Sequence, residues 1–98
     1  MSRSLVERRL TEVGARLKRL REDLAIAEEQ LAHLAESAED ARLRSLVSET
    51  PVAEREHQEA QRHVDAMQRH RADLLTEIGQ LEQSQDELLD RFMAEPRP

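Results

Sequence analysis

Apolar residues recur along the first half of the chain in steps of four and three: Val6, Leu10, Val13, Leu17, Leu20, Leu24, Ala27, Leu31, Leu34, Ala38 and Ala41. The second half repeats the rhythm through Ala60, Val64, Met67, Arg71, Leu74, Ile78, Leu81, Gln85, Leu88 and Phe92. That spacing is the seam of a coiled coil. The two stripes also match in reverse. The first ten members of the first stripe each pair with one member of the second so that the two residue numbers add to 98, from Val6 with Phe92 to Ala38 with Ala60. A chain folded back near residue 49 lays one stripe along the other. The expected fold is therefore all-α: two long helices in an antiparallel coiled-coil hairpin, one domain over 1–98, with dimerisation to a four-helix bundle as an extension.

Local signals place the ends. Ser4 followed by Glu7 has the form of a capping box, which predicts helix 1 from Leu5. After Ala41 the stripe asks for residues 45 and 48, and both are serine. Leu43, Leu46 and Val47 point elsewhere, so the expectation is a kink or an end near 37–41 and a separate turn. Thr50-Pro51 is the clearest start signal, an N-cap followed by a proline at the first helical position. The expected layout is helix 1 over 5–44, a turn over 45–50, helix 2 over 51–93 and a tail over 94–98.

Composition agrees with a long helix and narrows the chemistry. Charged residues are 37% and aromatics 1%, with five glycines and prolines together, a profile of extended helices and not of a globular core. There is no cysteine, which excludes disulfides and thiolate metal sites and suits a reducing compartment. Arg3, Arg8 and Arg9 precede no apolar signal-peptide core, and the run Leu24–Ala27 is far too short to cross a bilayer. A cytoplasmic location without membrane contact is expected. Arginine outnumbers lysine by fourteen to one, which points to a GC-rich bacterial genome.

The net charge of −6 is blocked along the chain, with +5 over 1–21, −8 over 22–60, +2 over 61–72 and −5 over 73–98. Basic helix 1 thus lies beside acidic helix 2 near the chain ends. At the flanking positions the same folding brings Asp23 near Glu77 and Arg9 near Arg91. The cluster Arg16, Lys18, Arg19 and Arg21 has no aromatic residues to stack bases, so it reads as a solvated face paired with helix 2 and not as a nucleic-acid site.

Candidate sites divide between the turn and the outer faces. Glu39, Asp40, Leu43, Leu46, Val47 and Val52 place carboxylates around an apolar knob, either a docking surface for a larger cytoplasmic protein or a turn packed on itself. Leu5, Ile26, Leu75 and Leu89 lie outside the seam and are expected to hold a second copy in a homodimer. Gly14, beside the stripe, costs roughly 1 kcal/mol against alanine. It is either tolerated or marks close approach of a partner backbone. Arg71 is expected to reach past small Ala27 to nearby acids. The four histidines, His33, His57, His63 and His70, include no pair at metal-ligand spacing, although Glu59 and His63 make half of one. His57 is expected to face the seam. No phosphate loop, nucleophile turn or cysteine nucleophile is present, so neither enzyme activity nor a cofactor nor a metal is expected.

The hairpin resembles small coiled-coil proteins of high-GC Gram-positive bacteria, a likeness that implies no function. Its architecture is similar to the coiled-coil finger of Gre-type transcript-cleavage factors, which probe an RNA polymerase channel with acidic tip residues. The likeness covers the hairpin only, and Glu39-Asp40 sits on the ascending helix, before the turn. Secreted hairpins with a Trp-x-Gly turn share the length and lack of that turn here excludes them. Two functions follow as expectations. One is a non-catalytic interaction module that self-associates and docks a partner through its tip. The other is a transcription or translation effector that inserts its acidic tip into a polymerase or ribosome channel.

Overall fold

The computed structural model describes residues 2–94 and residue 96. Two helices account for nearly all of them, α1 over Arg3–Ser48 and α2 over Pro51–Ala94, paired as an antiparallel hairpin, and no strand occurs among the described residues. Residues 95, 97 and 98 of the expected tail lie outside the described residues.

Helix α1 begins two residues earlier than the capping box suggested. Ser2 is the cap: its hydroxyl accepts the Leu5 N–H at 3.3 Å, and its carbonyl accepts the Val6 N–H at 3.0 Å. The earlier start brings Arg3 into the first turn, where its guanidinium donates to the Phe92 carbonyl at 3.0 Å and stacks 3.8 Å from the ring centroid. Those contacts on the facing helix favour Ser2 over Ser4.

The far end of α1 also differs from expectation. The helix continues through 42–48 without a break, and the connection is only Glu49 and Thr50. The seam does not lose phase. It runs on through half-buried Ser45 and buried Ala53, whose numbers again add to 98. Serine fits there because its hydroxyl is satisfied locally, donating to the Arg42 carbonyl at 2.7 Å. Glu49 then ends α1 with φ of 51°, in the left-handed region, and its N–H bonds to the Ser45 carbonyl at 3.1 Å. Thr50 caps α2, its hydroxyl accepting the Ala53 N–H at 3.2 Å and its carbonyl accepting the Glu54 N–H at 3.1 Å. Pro51 takes the first helical position as expected.

The chain forms two compact units. The first takes the chain up to Asp23 and from Leu74 on. Its core is Val6, Leu17, Leu20, Leu74, Ile78 and Leu88, with Val6, Leu17 and Leu20 almost wholly buried. Each such side chain contributes roughly 1.5–3 kcal/mol. Gln85 is half-buried among them. The second unit takes Leu24–Asp73 and is built on smaller residues, with Ala27, Ala38, Ala41, Ala53 and Val64 buried and Leu31, Leu34 and Met67 half-buried. No polar or charged side chain is buried among the described residues.

Candidate interaction surfaces

At the turn the second unit carries an exposed apolar set. Leu43, Leu46 and Val47 are spaced by three and four residues, so they share the outer side of α1 while Ser45 takes the seam. Val47 is 86% exposed and Leu46 60%, and Leu43 and Val52 are exposed as well. A turn packed on itself would cover them. Val52 is the second residue of the following helix, on the other side of Glu49 and Thr50.

The carboxylates around this set have different partners. Glu39 takes the Arg42 guanidinium with both oxygens, at 3.0 and 2.7 Å. That pairing holds the Glu39 carboxyl below its ordinary value and raises the Arg42 guanidinium. Asp40, Glu36, Glu49 and Glu56 are exposed, and Glu54 accepts an amide hydrogen of Gln58 at 3.3 Å. Residues 36–59 hold seven carboxylates against three arginines. The turn is therefore an apolar knob in a net acidic setting.

The outer-face set proposed for self-association does not form one face. Leu75 and Leu89 are exposed on α2 in the first unit, two heptads apart on one side. Leu5 is half-buried and is not an exposed anchor; its position before seam residue Val6 puts it on the other flank of that unit. Ile26 is exposed and belongs to the second unit. Met93, which the periodicity did not single out, continues the Leu75–Leu89 row and is 82% exposed.

Ion pairs fix which residues flank the seam. Arg16 donates to Glu77 at 2.7 and 3.2 Å, and Arg21 lies 3.7 Å from Glu82. The expected approach of Asp23 to Glu77 is thus replaced by Arg16. Arg9 and Arg91 do line one shallow groove of about 330 Å³, together with Glu12 and Glu87. The offset follows from the heptad. Arg16 and Glu77 each stand one residue before a seam position, and Arg21 and Glu82 each stand one after, so partners on the two flanks are displaced in opposite directions along the seam. In the second unit Arg71 reaches Glu28 at 3.9 Å, on the same side as Ala27, as its place in the stripe implied.

Arg3 with Phe92 is the contact that sequence reasoning missed, since a lone arginine near a chain end carries no periodic signal. His57 is half-buried, as expected of a seam position, and His63 lies 3.9 Å from Glu59 with both side chains exposed. No group of three or more metal-ligating side chains occurs among the described residues. No helix among the described residues is long and apolar enough to cross a membrane. No protein-family model matches the chain, and no curated protein or solved structure matches it either.

Proposed function

We propose that this chain is a non-catalytic helical-hairpin interaction module that docks a larger protein partner through its turn and associates with itself. One observation carries the docking half: Leu43, Leu46, Val47 and Val52 are exposed while the seam passes them through Ser45 and Ala53. These residues contribute little to the hairpin's own core, so their apolar character has no local use. The acidic setting favours a partner groove with an apolar floor and a basic rim.

The test is the double variant Leu46→Ser, Val47→Ser. Thermal melting should change by no more than a few degrees, because exposed apolar groups contribute little to folding. Capture of the partner from lysate by the folded variant should fall roughly thirtyfold or more, the scale of a ~2 kcal/mol anchor. A large drop in melting temperature with capture intact would make the knob a structural plug. The channel-inserting effector, with its likeness to the Gre-type finger, is the second reading. It draws on exposed Asp40, but Glu39 beside it is already committed to Arg42.

A further inference from the structure

The first unit has two flanks, and they differ. Arg16 with Glu77 marks one flank, and Arg21 with Glu82 marks the other. On the Arg21 flank α1 continues in steps of three and four through Lys18 and Gly14. On the same flank α2 offers Leu75, Leu89 and Met93, all exposed. Between the two leucines stand Gly79, Glu82 and Asp86. This flank therefore holds both glycines of the chain, the exposed leucines of the unit, a basic edge on α1 and an acidic edge on α2.

The glycines are not required by the hairpin itself. A Cβ placed on Gly14 or on Gly79 would meet nothing within 4 Å, and neither residue has positive φ. Each nonetheless costs about 1 kcal/mol of helix stability. A neighbouring backbone approaching this flank would make use of the missing side chains.

We infer that this flank binds a second copy of the chain, with α1 of one copy lying on α2 of its partner about a two-fold axis parallel to the helices. The inference rests on the self-association reading above and specifies its face and orientation. Charge chooses the occupant and the axis. Lys18 and Arg21 of each copy then face Glu82 and Asp86 of the other, and Leu75 and Leu89 are covered. A two-fold axis across the helices instead stacks α2 on α2, with Glu82 and Asp86 of one copy against the same acidic pair of the other. The apolar set at the turn is a poor rival for self-contact, because two copies would bring together net acidic surfaces. In the parallel arrangement equivalent residues of the two copies stand at the same height along the helices.

Sedimentation and spin-label distances on the full chain test this. The wild type should sediment as a dimer that weakens as salt rises. Leu75→Glu with Leu89→Glu, and separately Gly79→Gln, should each raise the dimer dissociation constant roughly tenfold or more. Gly79→Gln should leave the fold intact, since the position is exposed and glutamine favours helix, so its effect does not depend on a variant that might unfold. The all-acidic variant (Lys18→Glu, Arg21→Glu) and the all-basic variant (Glu82→Lys, Asp86→Lys) should each be monomeric alone and dimerise when mixed. Labels at Thr76, Gln83 and Asp90, one at a time, should then give three similar inter-copy distances. A monomeric wild type would overturn self-association altogether. A dimer indifferent to Gly79→Gln, or with distances that change along the three labels, would overturn this face and orientation and leave self-association standing.

Discussion

Single residues decide how the two helices begin and end. Glu49 occupies the left-handed region at the end of α1, where glycine is the usual residue. An L side chain there costs roughly 1–2 kcal/mol. Part of the relief from Glu49→Gly is offset because glycine adds freedom to the unfolded chain. The net expectation is a gain of about 0.5–1 kcal/mol, measured by denaturant melting. Thr50→Ala should move stability the other way by about 1 kcal/mol, since it removes the acceptor for the Ala53 N–H. Glu39 gives a pH test. Its bidentate Arg42 partner depresses its pKa below the ordinary 4.5, so the pair's stabilisation is present above the unfolded value and lost as pH falls through the lower folded one. In a carboxyl NMR titration Arg42→Gln should raise the Glu39 midpoint. The Thr50-Pro51 start was legible because its residue types are diagnostic. Ser2 was not, because two serines two residues apart offer the same chemistry, and a long-range contact of Arg3 with Phe92 distinguished them.

Along each helix the seam was the readable part, and its interruptions were the ambiguous part. In the sequence Ser45 reads as the end of the stripe because serine is polar. In the helix its hydroxyl is spent on the Arg42 carbonyl, which leaves a small side chain able to pair with Ala53. Nothing between Arg42 and Ser48 breaks a helix, so the backbone continues and Leu43, Leu46 and Val47 are left outside. Arg71 and Gln85 show two other ways to place a polar residue in a seam. Arg71 sends its charge outward to Glu28, whereas Gln85 stays half-buried beside an apolar stripe, with Val13 as its register partner. Gln85→Leu should therefore stabilise the first unit by about 1 kcal/mol through added apolar burial. The same change at Arg71 forfeits the Glu28 contact and should gain less. Paired thermal melts of the two variants compare them directly.

For the molecule as a whole, the pairing of the two halves was legible because a constant sum over ten pairs leaves one register, whereas the flanks were not, because their partners are displaced from that sum. Arg16 with Glu77 falls five short of it and Arg21 with Glu82 exceeds it by five. Reading the flanks as level with the seam places Asp23 beside Glu77, and reading every off-seam leucine as one face joins Leu75 and Leu89 to Leu5, which stands on the opposite flank. The register itself is open to a direct test in each unit. Cysteines replacing Leu20 and Ile78 should form an intrachain disulfide on mild oxidation, and so should a pair replacing Leu34 and Val64 in the second unit. A disulfide needs Cα atoms within about 7 Å. Moving one partner from Ile78 to Leu88 shifts it ten residues, about 15 Å along the helix. The Leu20–Leu88 pair should therefore stay reduced within a monomer. If it crosslinks and Leu20–Ile78 does not, the helices are displaced by nearly three turns. The flank described above then no longer aligns Gly14, Leu89 and the opposed charged edges, and the dimer inference falls with it. Crosslinking of both first-choice pairs holds the seam in register from Leu20 to Val64, and Arg21 with Glu82 is then the diagonal pair on which the orientation of a second copy depends.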